Sequence, residues 1–299
     1  MRRFAAPFAV AVTLSLALVI ACAEAQEPPR NVILFLGDGF GPAYAELGRQ
    51  VGGGPLALDA VLVGSSQTAA TDSHVTDSAA GATAYSCGLK TYNGAIGVDA
   101  TGAPCRTLLE VAEGQGRATG LVTTTRVTHA TPASFAAHVP DRDMEQEIAL
   151  QIAHSGVEVL FGGGARFFTP AAVGGARTDP QDLLEQARLA GTSVALDGAA
   201  FDALDGTPAW ALLAGDHLAY DLDRDETDQP ALADLTRRAL DLLAESPDGA
   251  ARGFFLLVEG GRIDHAGHSN DPATAAREVL AYDAAVAAAL DWARRDGNT

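Results

Sequence analysis

Cysteine is scarce in this 299-residue chain, with three in all, which excludes a small domain stapled by several disulfides. Basic residues are also few. Against 38 Asp and Glu stand only 20 Lys and Arg, for a formal net charge of −18. Such a chain lacks the clustered positive charge that grips a nucleic-acid backbone. Aromatic residues make up 6%, and no repeat or coiled-coil heptad runs through the sequence. Glycine, by contrast, is plentiful at 32 residues, within a composition that is 47% hydrophobic. That is the make-up of a globular α/β protein with tight loops, long enough for one large domain or part of one.

The only long apolar run lies at the start. Arg2 and Arg3 precede an apolar stretch from Phe4 to Ala21, the layout of a secretory signal peptide. Ala23-Glu24-Ala25 offers an A-x-A cleavage site, so residues 1–25 are expected to be removed. A competing pattern, Val19-Ile20-Ala21-Cys22, is similar to a bacterial lipobox and would make Cys22 a lipid anchor. Either way the chain is expected to be exported, to the periplasm or outside the cell. Export permits a disulfide between Cys87 and Cys105, and two buried thiols fit the sequence equally well.

Beyond the leader, short apolar runs alternate with helical patterns. Strands are expected at 31–37, 119–123, 157–161, 193–196 and 254–259, and helices at 106–113, 144–154, 181–190, 231–245 and 273–294. This order predicts an α/β fold with a largely parallel central sheet sandwiched by helices. The stretch 169–227 reads as acidic and rich in loops, without a convincing linker.

Four clusters carry candidate chemistry, each at the carboxyl end of an expected strand or the start of a helix. Gly37-Asp38-Gly39-Phe40-Gly41 follows a strand, and a carboxylate there suits a metal better than a pyrophosphate. Thr76-Asp77-Ser78-Ala79-Ala80-Gly81 opens a helix of small residues. Asp77 and Ser78 read as ordinary cap residues, or Ser78 as a nucleophile beside a phosphate at the helix N-terminus. The stretch from Thr125 to Arg142 contains His129, Thr131 and an arginine able to fork onto phosphate oxygens. In Phe254–His268, Glu259 ends an apolar strand, while Asp264 and His268 stand one helical turn apart, a mixed oxygen and nitrogen ligand set.

In this order and spacing, the four clusters resemble alkaline phosphatase, from about residue 31 to residue 299. The resemblance implies hydrolysis of small-molecule phosphate monoesters through a phosphoserine, with two zinc ions and one magnesium. It makes Ser78 the nucleophile and Arg142 the phosphate clamp. It makes Asp38 a bridge between a zinc and the magnesium, completed on the magnesium side by Thr131 and Glu259. Asp264 and His268 become ligands of the other zinc. His129 and His265 fall where family members vary and are expected to tune the metals from behind. A homodimer is implied as well.

One departure bears on activity. The family's following motif is a strand and a T-A-D-H sequence that bind the second zinc, with a later histidine for the first. Neither follows in this sequence, so residues 26–299 are expected to form the N-terminal part of the catalytic domain, with an incomplete sheet. Weak zinc binding and little turnover are the corresponding expectation. Rival readings are another metal-dependent phosphodiesterase or sulfatase of the wider superfamily, and a non-catalytic exported protein that binds phosphate or metal.

Overall fold

A computed structural model describes residues 29–299. The expected leader, its cleavage site and Cys22 lie outside the described residues. Six strands form one sheet: β1 Val32–Gly37, β2 Ala118–Arg126, β3 Val159–Gly163, β4 Ser193–Ala195, β5 Ala209–Leu212 and β6 Phe254–Gly260. Their spatial order is β1-β6-β2-β3-β5-β4, and every neighbouring pair is parallel. Eleven helices among the described residues connect and cover them. They are α1 Pro42–Gly52, α2 Ser78–Cys87, α3 Leu108–Gly114, α4 Ala130–Ala136, α5 Glu145–His154, α6 Leu183–Leu189, α7 Gly198–Asp202, α8 Leu232–Glu245, α9 Pro247–Arg252, α10 Arg262–His268 and α11 Pro272–Asp296. Among the described residues no helix is long and apolar enough to cross a membrane.

The layering follows from the sequence. β6 reads FFLLVEG and all seven residues are buried, as a strand covered on both faces requires. One face packs against Leu235, Leu240 and Leu243 of α8 and Val279 and Tyr282 of α11. The other packs against Leu109 of α3, Phe135 of α4, Ile148 and Ile152 of α5 and Leu183 of α6. β1 pairs only with β6 among the described residues, and five of its six residues are half-buried despite an apolar sequence.

Several elements lie outside the expected set: α1, α4, α7, α9 and β5. β5 has four residues, AWAL, too few to show a period, and lies in the stretch read as loop. α4 contains Pro132, which reads as a breaker. Here it occupies the first turn, where its missing N–H costs no intrahelical bond. Cys87 and Cys105 are bonded, which settles the alternative left open by the sequence.

Register brings chemistry to one end of the sheet. Leu36 of β1 and Thr123 of β2 both stand opposite Glu259 of β6. Asp38 follows directly after β1, and His129 caps α4 just beyond β2. All lie outside the carboxyl ends of the strands, where open parallel sheets bind their ligands.

Candidate active site

Ser78 is the first residue of α2, with its hydroxyl aimed across at the end of β1. It donates to the Asp38 carboxylate at 2.8 Å from Oδ2 and 3.0 Å from Oδ1. Asp77 caps the helix, its Oδ1 accepting from the Ala80 N–H at 2.9 Å. The Asp77 Oδ2 accepts from Arg142 Nη1 at 3.0 Å. A second guanidinium nitrogen, Nη2, lies 3.1 Å from His129 Nε2. One helix N-terminus, one hydroxyl, two carboxylates, one guanidinium and one imidazole therefore meet in a single place.

Asp38, His129 and Glu259 each offer a ligand atom within 4.8 Å of the others. Glu259 has no exposed surface, and its Oε1 has no hydrogen-bond partner. Its Oε2 accepts from the hydroxyls of Thr123 and, at 3.2 Å, of Thr125. His129 Nδ1 is likewise buried and unpartnered. Burial, and then the negative charge of Asp38, raises the Glu259 pKa, opposed by the hydroxyls of Thr123, Thr131 and Thr125. Burial, and then Asp264, raises that of Asp38. Two desolvated carboxylates beside an orphaned imidazole nitrogen demand a cation, and these donor types suit magnesium or zinc. The residues present therefore fit a divalent metal. The sequence reading put Thr131 in this pocket and His129 behind it. Thr131 is buried at the first turn of α4, and His129 stands among the candidate ligand atoms.

Asp264 and His268 are paired on α10, Oδ2 to Nε2 at 3.3 Å, with the His268 side chain 81% exposed. The Asp38 turn reaches Asp264 through Gly39. That residue has φ +66°, and a Cβ there would lie 2.7 Å from Asp264 Oδ1. Glycine is thus required both by conformation and by the close approach. Among the described residues no third His, Cys, Asp or Glu joins Asp264 and His268 in a three-ligand group.

Two further imidazoles, His217 and His265, crowd against His129. Ring centroids are 4.4 Å apart for His217 and His265, 5.4 Å for His129 and His265, and 5.6 Å for His129 and His217. Burial first, then nearby arginines, holds all three well below the usual histidine range. Neutral imidazoles are the form that binds metals. Both His217 nitrogens face N–H groups of Arg126, one backbone and one guanidinium. Arg126 in turn binds Glu145 at 2.8 Å and Asp216 at 2.7 Å. The sequence singled out none of Arg126, Glu145 and His217 as a site residue. A β-strand ending in Thr-Thr-Thr-Arg offered the one available signal, and of its hydroxyls those of Thr123 and Thr125 meet the buried Glu259.

Known proteins resemble this chain along most of its length. Residues 29–299 match the family model described as alkaline phosphatase. The repressible alkaline phosphatase of Saccharomyces cerevisiae is 43% identical, over 95% of this chain and 55% of its own length. The alkaline phosphatase of the Antarctic bacterium TAB5 superposes with a TM-score of 0.81 at 33% identity, covering 91% of this chain and 77% of that one. A variant of the TAB5 enzyme solved with Mg bound superposes at 0.78, with 32% identity over 91% and 76% of the two chains. The chain thus spans about half the length of the yeast relative.

Proposed function

The chain belongs to the alkaline phosphatase family, and from that premise we propose that it carries the machinery for hydrolysing small-molecule phosphate monoesters through a phosphorylated Ser78. The observation that carries the reading is the Ser78 hydroxyl, bonded to a carboxylate that also belongs to the candidate metal pocket. In this reading the substrate phosphoryl group sits at the N-terminus of α2, where unpaired N–H groups and the helix dipole favour an anion. Arg142, held by Asp77, forks onto its oxygens. Asp38 orients the Ser78 hydroxyl; as its oxygen bonds to phosphorus the ester P–O bond breaks, the serine proton reaches the departing oxygen by way of solvent, and water then hydrolyses the phosphoserine. Few of these contacts reach the leaving group, so broad monoester specificity follows.

Asp38, Glu259, Thr131 and His129 would hold magnesium, and Asp38, Asp264 and His268 would contribute to two zinc sites. When bound, these ions supply Lewis-acid stabilisation of the attacking and departing oxygens. Export to the periplasm or beyond, with or without a lipid on Cys22, belongs to the same reading, and the Cys87–Cys105 bond suits an oxidising compartment. So does a homodimer.

The test is transfer of label from a phosphate monoester to the full chain in the presence of zinc and magnesium. Acid-stable label on the wild type that is lost in Ser78→Ala supports the reading. A second reading, a binder of phosphate or metal without turnover, is favoured by the lone three-ligand group among the described residues. It predicts phosphate binding with no covalent label in either protein. Faster turnover of a diester or sulfate ester than of a monoester would reassign the substrate class.

A further inference from the structure

The residue before Ser78 and the backbone of Arg142 are tied to the same two-residue turn. Asn93 Oδ1 accepts from the Asp77 N–H at 2.9 Å. Its Nδ2 donates to the Val75 carbonyl at 3.0 Å, and its own N–H donates to Asp72 Oδ1 at 3.0 Å. The neighbouring Gly94 N–H donates to Asp77 Oδ2 at 3.0 Å, the oxygen that also accepts from Arg142. The Gly94 carbonyl accepts from the Arg142 N–H at 2.8 Å. Gly94 has φ +91° with open space around its Cα, so conformation rather than crowding calls for glycine.

These bonds form a closed circuit: Asn93 to the Asp77 backbone, Asp77 to the Arg142 guanidinium, the Arg142 backbone to Gly94, and Gly94 to the Asp77 carboxylate. Arginine has a long, rotatable stem, and a serine at the first position of a helix is placed by its cap. Neither side chain by itself fixes its distance to the other. We propose that Asn93, through Asp77 and Gly94, is a positioning residue that sets Ser78 and Arg142 at the spacing one phosphoryl group requires. This rests on the reading of Ser78 and Arg142 given above, but the circuit itself can be tested without activity.

The experiment compares wild type, Asn93→Ala and Asn93→Asp as full chains. Amide exchange is measured at residues 72–80 and 140–145, together with inorganic phosphate affinity and kcat against KM. Asn93→Asp keeps an acceptor for the Asp77 N–H, loses the donor to Val75 and adds a negative charge. Asn93→Ala is expected to speed exchange in both segments about tenfold, as loss of one bridging hydrogen bond would, while the rest of the chain keeps its protection. Phosphate affinity should fall by a similar factor, and Asn93→Asp should recover most of the protection at Asp77. Unchanged exchange at both segments in Asn93→Ala overturns the proposal, as does faster exchange confined to 72–80. Faster exchange with unaltered phosphate affinity also overturns it. If the wild type binds no phosphate and is never labelled, the functional reading fails, and the two exchange segments still decide whether Asn93 couples Asp77 to Arg142.

Discussion

At Glu259 a buried carboxylate keeps an unpartnered oxygen next to the acid of Asp38, and its energetics can be read through pH. An unfolded glutamate releases its proton near pH 4.5, whereas burial and the Asp38 charge raise the folded group to about 7. Between those values the folded chain holds more protons, so this group's stabilisation is complete at low pH and is lost as pH rises through 7. The imidazoles of His129, His217 and His265 run the other way. Their folded values are depressed, so their contribution falls as pH drops below 6.5. A difference between variants isolates the carboxylate. In metal-free buffer, Glu259→Gln should melt above wild type at pH 8, by on the order of 2 kcal/mol, and approach it at pH 5. Added magnesium or zinc should invert the order at pH 8. Melting curves that show no pH-dependent gap would remove the cation demand from this pocket. For Ser78, substitution by Ala should abolish covalent labelling, while also freeing Asp38 of a hydrogen bond that lowers its proton affinity. Asp38 and Glu259 stand out in sequence because each ends an apolar run beside glycines, Ser78 because it opens a run of small residues, and Arg142 only through the resemblance of its segment. Asn93, Arg126 and His217 do not, since each acts on a partner distant in sequence and nothing local marks it.

At the scale of elements, α2 is held from both ends. Asp77 caps its start, and the disulfide from Cys87 to Cys105 ties its last turn to the loop ahead of α3. Closing a loop of this length restricts the unfolded chain by about 3 kcal/mol in the chain-entropy account. Cys105→Ser should therefore lower the melting temperature by several degrees, and reduction of the wild type should match it. Equal melting of oxidised and reduced protein would show that the cap and packing suffice. The strands were legible where β-branched and apolar residues ran together, as in NVILFLG and FFLLVEG. The bounds of β2 extend three residues beyond the expected end: Thr124, Thr125 and Arg126 look polar, but Thr125 bonds to Glu259, the Arg126 N–H to His217, and the Thr124 carbonyl accepts from Leu218. α4 and β5 were illegible for a different reason. Their form is set by packing against α2, α5 and β3 rather than by a period of their own.

For the molecule as a whole, the fold class follows from alternation alone, whereas the sheet order does not. β6 is the last of the six strands among the described residues, yet it inserts between β1 and β2, which makes Glu259 a neighbour of Asp38. That long-range placement builds the site and has no local signature. It also leaves β1 with one hydrogen-bonded neighbour among the described residues, and Val32 at 44% exposure. Apolar edges of this kind template pairing with other strands. Concentration-dependent association of the chain, followed by light scattering, should weaken in Val32→Lys with a stability change within about 0.5 kcal/mol. Association unaffected by that charge would locate the contact elsewhere. Because Asp38 and Glu259 come from adjacent strands rather than adjacent residues, the pocket is also a gauge of how β1 and β6 lie together: a shift in that ladder is felt as a change in the distance between its two acids.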